Sequence, residues 1–369
     1  MKSSVQIGTI IGIPIKIHFT FLIILALFAW SFSTSSVSFV GIVIGYGALP
    51  IDLLLKILLG IFLAILLFAC VILHEIGHSY VTQKYGYKIH GITLFIFGGI
   101  SQAEEIPQNP KMEFAIAVIG PAISIFLGAI AYVVYLLINT FSASTSMQII
   151  LITVGTLAFY NVLLGLFNLI PAFPIDGGRI LRSVLASRME YKRATKIASN
   201  IGKGFAVAMA VFGIFFNIWL VLVAVFVYIG ATEEDKNLQI SITLEGFKVK
   251  DLMTPLIDSI PPTMTLQEFS GYMLSHKHLG YPVMENNHLL GMISINDFHK
   301  VAREKQNNTL VKDVMRTEVL LIDADEPASA AFKMMTQNNH ERLIVQKNGE
   351  YQGVISWSDL QRAVELKGM

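Results

Sequence analysis

The chain has 369 residues, 54% of them hydrophobic and 14% charged, with a formal net charge of +1. Soluble globular chains carry about 25% charged residues, so the deficit points to a chain built largely for a membrane. The near-neutral balance excludes nucleic acid as the main partner, and the single cysteine, Cys70, excludes an intramolecular disulfide framework and a cysteine-rich zinc module.

In chain order, Ile10–His18 comes first and reads as a strand, because Gly12 and Pro14 disfavour helix. The apolar run Phe19–Trp30 has no small-residue cleavage site after it and is expected as a retained span rather than a signal peptide. Six membrane helices are expected, near 17–33, 53–84, 113–138, 147–169, 194–214 and 216–230. The last two come from dividing one apolar stretch near Phe216-Asn217, and a single long helix is the alternative. Ile89–Ile100, rich in β-branched and aromatic residues and ending in Gly98-Gly99, reads as a second strand at the membrane surface. An unpaired strand edge there could accept another chain by strand addition.

Charge placement orients the spans. Ser31–Ile51 and Asn139–Ile150 carry no charge, whereas Arg179–Lys203 carries Arg179, Arg182, Arg188, Lys192, Arg193, Lys196 and Lys203 against Glu190. The basic side is expected to be cytoplasmic, giving a multi-pass cell-membrane protein with both termini inside.

Composition changes near Ala231, after which charges are frequent and no segment is long and apolar enough to span a bilayer. Expected domains are 1–230 in the membrane, a linker over 231–247, and two repeats over 248–303 and 311–366. Asp251-Leu252-Met253-Thr254 recurs as Asp313-Val314-Met315-Arg316, and Gly291–Asp297 recurs as Gly353–Asp359, both 62 residues on. Each repeat reads as β-α-β-β-α, and two copies packing as a pseudo-dimer is the simplest arrangement. The expected fold class is thus a multi-span α-helical membrane domain with short surface strands, followed by an α/β tandem repeat.

The strongest chemical signal is His74-Glu75-Ile76-Gly77-His78. Residues i and i+4 share a helix face, so both imidazoles can reach one metal ion, with Glu75 beside them as a base for a bound water. The motif follows the apolar run Ile57–Leu73, where ionisable groups are costly and tend to be functional. A helix end whose His and Glu reach toward the interface is the alternative reading. Hydrolytic zinc sites keep three protein ligands and one water. Asp176 is the candidate third ligand, since it ends a stretch from Phe114 to Ile175 without any charge. Around it, Pro171, Pro174, Gly177 and Gly178 are expected to prevent a regular helix. An interfacial turn with Asp176 capping the next helix is the competing reading. Asn168 could donate to the oxyanion of a tetrahedral intermediate or satisfy backbone groups freed by Pro171. Cys70, one turn before His74, reads as a small core residue rather than a thiolate ligand.

His74-Glu75-x-x-His78 together with Asn168–Gly177 resembles the site-2 protease family of intramembrane metalloproteases, as do Gly12-Ile13-Pro14 and Gly98-Gly99. The resemblance implies zinc held by His74, His78 and Asp176, Glu75 as catalytic base, and transmembrane protein substrates held as an added strand. The tandem repeat resembles the CBS (cystathionine-β-synthase-type) module, whose pairs form clefts for adenosine nucleotides such as ATP or AMP and also serve as dimer interfaces. That resemblance implies ribose contacts at Asp297 and Asp359, with the Ser294 and Ser356 hydroxyls nearby; helix capping is the alternative for both acids. His276, His278, His288, His299 and His340 read as solvated surface residues. The competing functions are a metal transporter gated by the CBS pair, and an inactive scaffold for membrane partners.

Overall fold

The computed structural model describes residues 4–96, 98–103, 108–140, 144–255, 259–276, 280–286, 288–338 and 340–367. The chain divides into two compact units, Met1–Asn237 and Leu238–Met369.

The first unit opens with a hairpin, β1 (Ser4–Ile10) and β2 (Ile13–His18), turning through Ile11 and Gly12 at φ 52° and 75°. Two positive-φ central residues match the right-handed twist of the flanking strands. The strand expected at Ile10–His18 is therefore β2, and β1 precedes it unforeseen. Helix α1 (Phe19–Thr34) and a small hairpin, β3 (Val37–Phe39) and β4 (Ile42–Ile44), lead to α2 (Leu53–Lys84). The segment expected as one strand at Ile89–Ile100 is again a hairpin, β5 (Ile89–Phe95) and β6 (Gly98–Ala103). These strands form one sheet in the order β1-β2-β5-β6, with β2 and β5 parallel.

Helices α3 (Pro110–Asn139), α4 (Thr145–Asn168), α5 (Asp176–Ala186), α6 (Tyr191–Phe216) and α7 (Ile218–Leu244) follow. Of these, α2, α3, α4 and α6 are long and apolar enough to cross a membrane, and α1 is a shorter apolar helix of 16 residues. The apolar part of α7 ends before Glu233. All six expected helices are present, and the final apolar stretch is two helices rather than one. Asn217 separates them with extended backbone, and its side chain accepts from Trp219 N–H, capping α7. Helix α7 continues through the residues expected as a linker.

Gly177 and Gly178 were expected to interrupt helix; they lie instead in the first turn of α5. Their smallness serves packing. A Cβ on Gly177 would strike the Ile170 carbonyl, and one on Gly178 would lie 2.7 Å from Ala172 C and Phe173 N. The irregular stretch is Leu169–Ile175, containing both prolines.

In the second unit the first repeat comprises α8 (Val249–Leu252), β7 (Thr254–Pro255), α9 (Leu266–His276), β8 (Gly280–Glu285), β9 (His288–Ser294) and α10 (Ile295–Phe298). The second comprises α11 (Val311–Val314), β10 (Leu321–Asp323), α12 (Ala328–Asn338), β11 (Arg342–Lys347), β12 (Glu350–Ser356) and α13 (Trp357–Lys367). The repeats interlock, because β7 of the first joins the sheet β10-β11-β12-β7 of the second. In return Arg316 bridges Met292 on β9. The bridges Lys248↔Pro327 and Thr265↔Leu310 are likewise images of each other under the 62-residue offset. Ile344 and Val354 of the second repeat are buried in the core formed by Ile260, Phe269, Tyr281 and Val283 of the first.

Candidate metal centre and nucleotide cleft

His74 and His78 lie one turn apart on α2, and His74 is only 3% exposed. Each Nε2 is 3.2 Å from Asp176 Oδ2, and the two Nε2 atoms are 3.2 Å from each other. Among the described residues, this is the one trio of His, Cys, Asp or Glu whose ligand atoms converge, all within 4.8 Å. Asp176 comes from the first residue of α5, beyond the irregular Leu169–Ile175.

The outer ring nitrogens are tied to α3. His78 Nδ1–H donates to the Ile116 carbonyl at 2.6 Å, and His74 Nδ1 shares a hydrogen bond of 2.9 Å with Ser124 Oγ. A carbonyl can only accept, so the His78 proton sits on Nδ1 and its Nε2 turns a lone pair inward. Three electron-pair donors at 3.2 Å fit a small dication. Tetrahedral ligands at about 2.0–2.1 Å from zinc stand about 3.3–3.4 Å apart. Ile116, Gly120 and Ser124 recur every fourth residue and form one stripe of α3 facing the pair. A Cβ on Gly120 would collide with His78 Nε2 and lie 2.7 Å from His74 Nε2, so glycine keeps the space beside the two imidazoles free.

Glu75 adjoins the pair. The position of a Cβ on Gly99 is 2.5 Å from Glu75 Cγ and 2.8 Å from Cδ, so the β6 backbone rests directly on this side chain. Asn168 ends α4, where its Nδ2 donates to the Leu164 carbonyl at 3.0 Å. Cys70 stands outside the converging trio. Ser124, the Ile116 carbonyl and Gly120 were not anticipated from sequence. Their roles depend on which α3 face meets α2, and no local motif records that.

In the second unit a cleft of ≈ 200 Å³ is lined by Ser294, Asn296, Asp297, Arg316, His340 and Arg342 among others. Asp297, 2% exposed, is held from two sides. Ser294 Oγ–H and N–H donate to its Oδ2, while Lys300 Nζ and Arg316 Nε donate to Oδ1 at 2.7 and 3.0 Å. Burial alone would raise the Asp297 carboxyl; the bonds from Lys300, Ser294 and Arg316 outweigh it and hold the group below its ordinary range. Burial and the Arg316 charge push His340 down. In the second repeat Ser356 Oγ–H and N–H donate to Asp359 Oδ2 at 2.6 and 2.9 Å. Ser294 is thus the N-cap of α10 with Asp297 as the N3 partner of a capping box, and Ser356 and Asp359 repeat the bonds. Ser294 and Asp297 line this cleft; Ser356 and Asp359 do not.

The peptidase family M50 profile matches residues 62–150 and 137–210, and the CBS domain profile matches 249–304 and 311–366. A zinc metalloprotease of Methanocaldococcus jannaschii is 37% identical over 99% of this chain and 97% of its own. Rip3 of Mycobacterium tuberculosis is 28% identical over 99% of this chain and 94% of its own. The solved site-2 protease from M. jannaschii is 39% identical, covering 63% of this chain and 95% of that one, with a TM-score of 0.44.

The Gly120 contacts generate a first prediction. Gly120→Ala purifies with well below stoichiometric zinc by elemental analysis. Gly204→Ala, whose Cβ meets nothing within 4 Å, keeps the parental zinc content.

Proposed function

Because the chain belongs to the site-2 protease group of peptidase family M50 and is a zinc metalloendopeptidase, we propose that it cleaves other membrane proteins within or beside their transmembrane segments. The observation carrying this reading is the convergence of His74 Nε2, His78 Nε2 and Asp176 Oδ2 at 3.2 Å from one another, with both histidines on a helix long and apolar enough to span a bilayer. Family membership sets aside the transporter and scaffold readings.

His74, His78 and Asp176 hold the ion in this proposal. Bound there, zinc supplies Lewis acidity, drawing the pKa of a water toward about 7 and polarising a peptide carbonyl. Glu75 takes the proton from the attacking water and returns it to the leaving amine, serving first as general base and then as general acid. Asn168 has a second amide hydrogen beyond the one given to Leu164, and it is the side-chain candidate to donate to the developing oxyanion. The substrate enters as an extended strand. Strand β6 is at the edge of its sheet and its Gly99 backbone rests on Glu75, so a peptide paired along β6 would run past the catalytic carboxylate. A transmembrane helix hides its carbonyls in i→i−4 bonds and must unwind first.

The excess of Lys and Arg over Arg179–Lys203 supports a cytoplasmic side for that segment, with both termini and the CBS pair on the same side of the membrane. The membrane lipid is then the solvent of α2, α3, α4 and α6. The CBS pair binds an adenine nucleotide in the cleft at Ser294 and Asp297, where Arg316 and Arg342 meet the phosphates, and so regulates the protease. Asp359 and Ser356 are the corresponding residues of the second repeat, and the CBS surface is also the proposed homodimer contact.

Three outcomes test these assignments. Glu75→Gln in detergent or vesicles keeps about one zinc per chain and loses about 10²-fold or more in kcat; undiminished cleavage would remove Glu75 from the mechanism. A substrate helix carrying Gly or Pro near the scissile bond is cleaved faster than the same helix carrying Leu, and equal rates would end the unwinding requirement. By calorimetric titration of the full chain with ATP and AMP, Arg316→Thr weakens binding about tenfold or more, the scale of one charge-assisted contact.

A further inference from the structure

Four elements of the first unit meet around one buried cation that the mechanism above does not use. Arg182, six residues along α5 from Asp176, is 6% exposed. Its Nε and Nη2 donate to Oε1 of Glu113 in the first turn of α3, and its Nη1 donates to Oε1 of Glu234 on α7. Tyr191, the first residue of α6, donates its hydroxyl to the other Glu113 oxygen at 3.2 Å. The guanidinium lies over the Phe173 ring at 4.8 Å and the Tyr191 ring at 5.0 Å.

Each attachment leads to the ligand trio. Glu113 is three residues before Ile116 and seven before Gly120, so it extends the same α3 stripe that orients both imidazoles. Phe173 belongs to the irregular segment that delivers Asp176. Helix α5 has no side-chain cap at Ile175, so its start is held by packing and by contacts made further along it. Arg182 lies about 9 Å along the axis from Asp176, at 1.5 Å per residue. A short helix pinned at that point cannot slide without displacing its first residue. The side chain must be arginine, since only a planar fork can engage two carboxylates while stacking on two rings.

We infer that Arg182 is a positioning residue for the metal centre: gripped by Glu113 and Glu234, it sets the Asp176 carboxylate against His74 and His78. The inference rests on reading those three residues as metal ligands.

The test uses the full-length chain in detergent, with zinc affinity measured by chelator competition and site geometry by the visible spectrum of the Co²⁺-loaded protein. Arg182→Lys keeps the charge but not the fork. It weakens zinc binding about 10–100-fold, the usual effect of removing an outer support, and alters the Co²⁺ bands of the four-coordinate site. Glu113→Gln acts in the same direction and carries the test if Arg182→Lys fails to fold. Tyr46→Phe is the control for general loosening, since it deletes a hydrogen bond to Thr153 outside this network; it leaves zinc affinity and spectrum as in the parent. Parental zinc affinity and spectrum in both Arg182→Lys and Glu113→Gln would overturn the inference. So would an equal loss in Tyr46→Phe. His74→Ala, run alongside, separates the two levels. If it loses zinc while Arg182→Lys and Glu113→Gln both keep parental affinity and spectrum, positioning fails and the ligand assignment stands. If it keeps zinc, the ligand assignment itself fails.

Discussion

Two imidazole nitrogens and a carboxylate oxygen stand 3.2 Å apart in a buried site, an approach that only a shared proton or a cation can bridge. The surrounding fold is organised to impose that crowding. Helix α2 places the imidazoles on one face by its own periodicity. Helix α3 then adds an acceptor at Ile116, an empty position at Gly120 and a hydroxyl at Ser124, spaced one turn apart. The carboxylate belongs to neither helix; it arrives from a segment about 100 residues away in sequence. On the proposed reading a dication bridges these atoms, and ion and tertiary structure then stabilise each other.

Delivering Asp176 requires irregular backbone beside membrane helices, where unsatisfied peptide groups cost several kcal/mol each. The stretch Leu169–Ile175 meets this in two ways. Its amides bond locally, Ile170 N–H to Phe167 O, Ala172 N–H to Ile170 O and Ile175 N–H to Ala172 O. Glycines of the neighbouring helices then close over it. Gly202 of α6 packs closely on Ala172 Cα, and Gly230 of α7 lies so near Pro174 that an added Cβ would strike the proline ring. Gly177 and Gly178 do the same from within α5. Helices made of small residues at such points can come near enough to exclude lipid from the segment.

This explains which features were legible in the sequence. The His pair was, because a helix has a fixed period and ionisable residues stand out in an apolar run. Asp176 was, because it ends a long charge-free stretch. Asn217 could be read as a break, since a polar residue between two apolar runs is a natural cap. Strand β1 was not legible: its side chains from Val5 to Ile10 are all exposed, so it has no buried face to impose an alternating pattern. Helix α5 was hidden by Gly177 and Gly178, which read locally as breakers and act tertiarily as spacers. Ser124, Gly120 and the Glu113–Arg182–Glu234 cluster are invisible for the same reason, since each acts across a helix interface that no short window contains.

The duplicated unit shows how backbone symmetry and chemical asymmetry can coexist. Met292↔Arg316 and Val354↔Thr254 are the same strand pairing, 62 residues apart, so the two halves share one register. Yet Thr254 stands where Arg316 stands in the other half. Arg316 grips Asp297 and lines the cleft beside it, together with Arg342 and His340. A threonine in the mirror position is neutral and shorter, and cannot reproduce that field. The register is fixed by backbone pairing and by buried residues such as Val283, Ile293, Val345 and Ile355, which constrain both halves alike. Cleft charge is under no such constraint, because it depends on rim side chains that the core does not touch. A duplicated fold can therefore stay symmetric where it must pack while its clefts differ in charge: this one sets Arg316 and Arg342 among Asp297, Glu318 and Glu341, and the arginine at 316 has no counterpart in its twin.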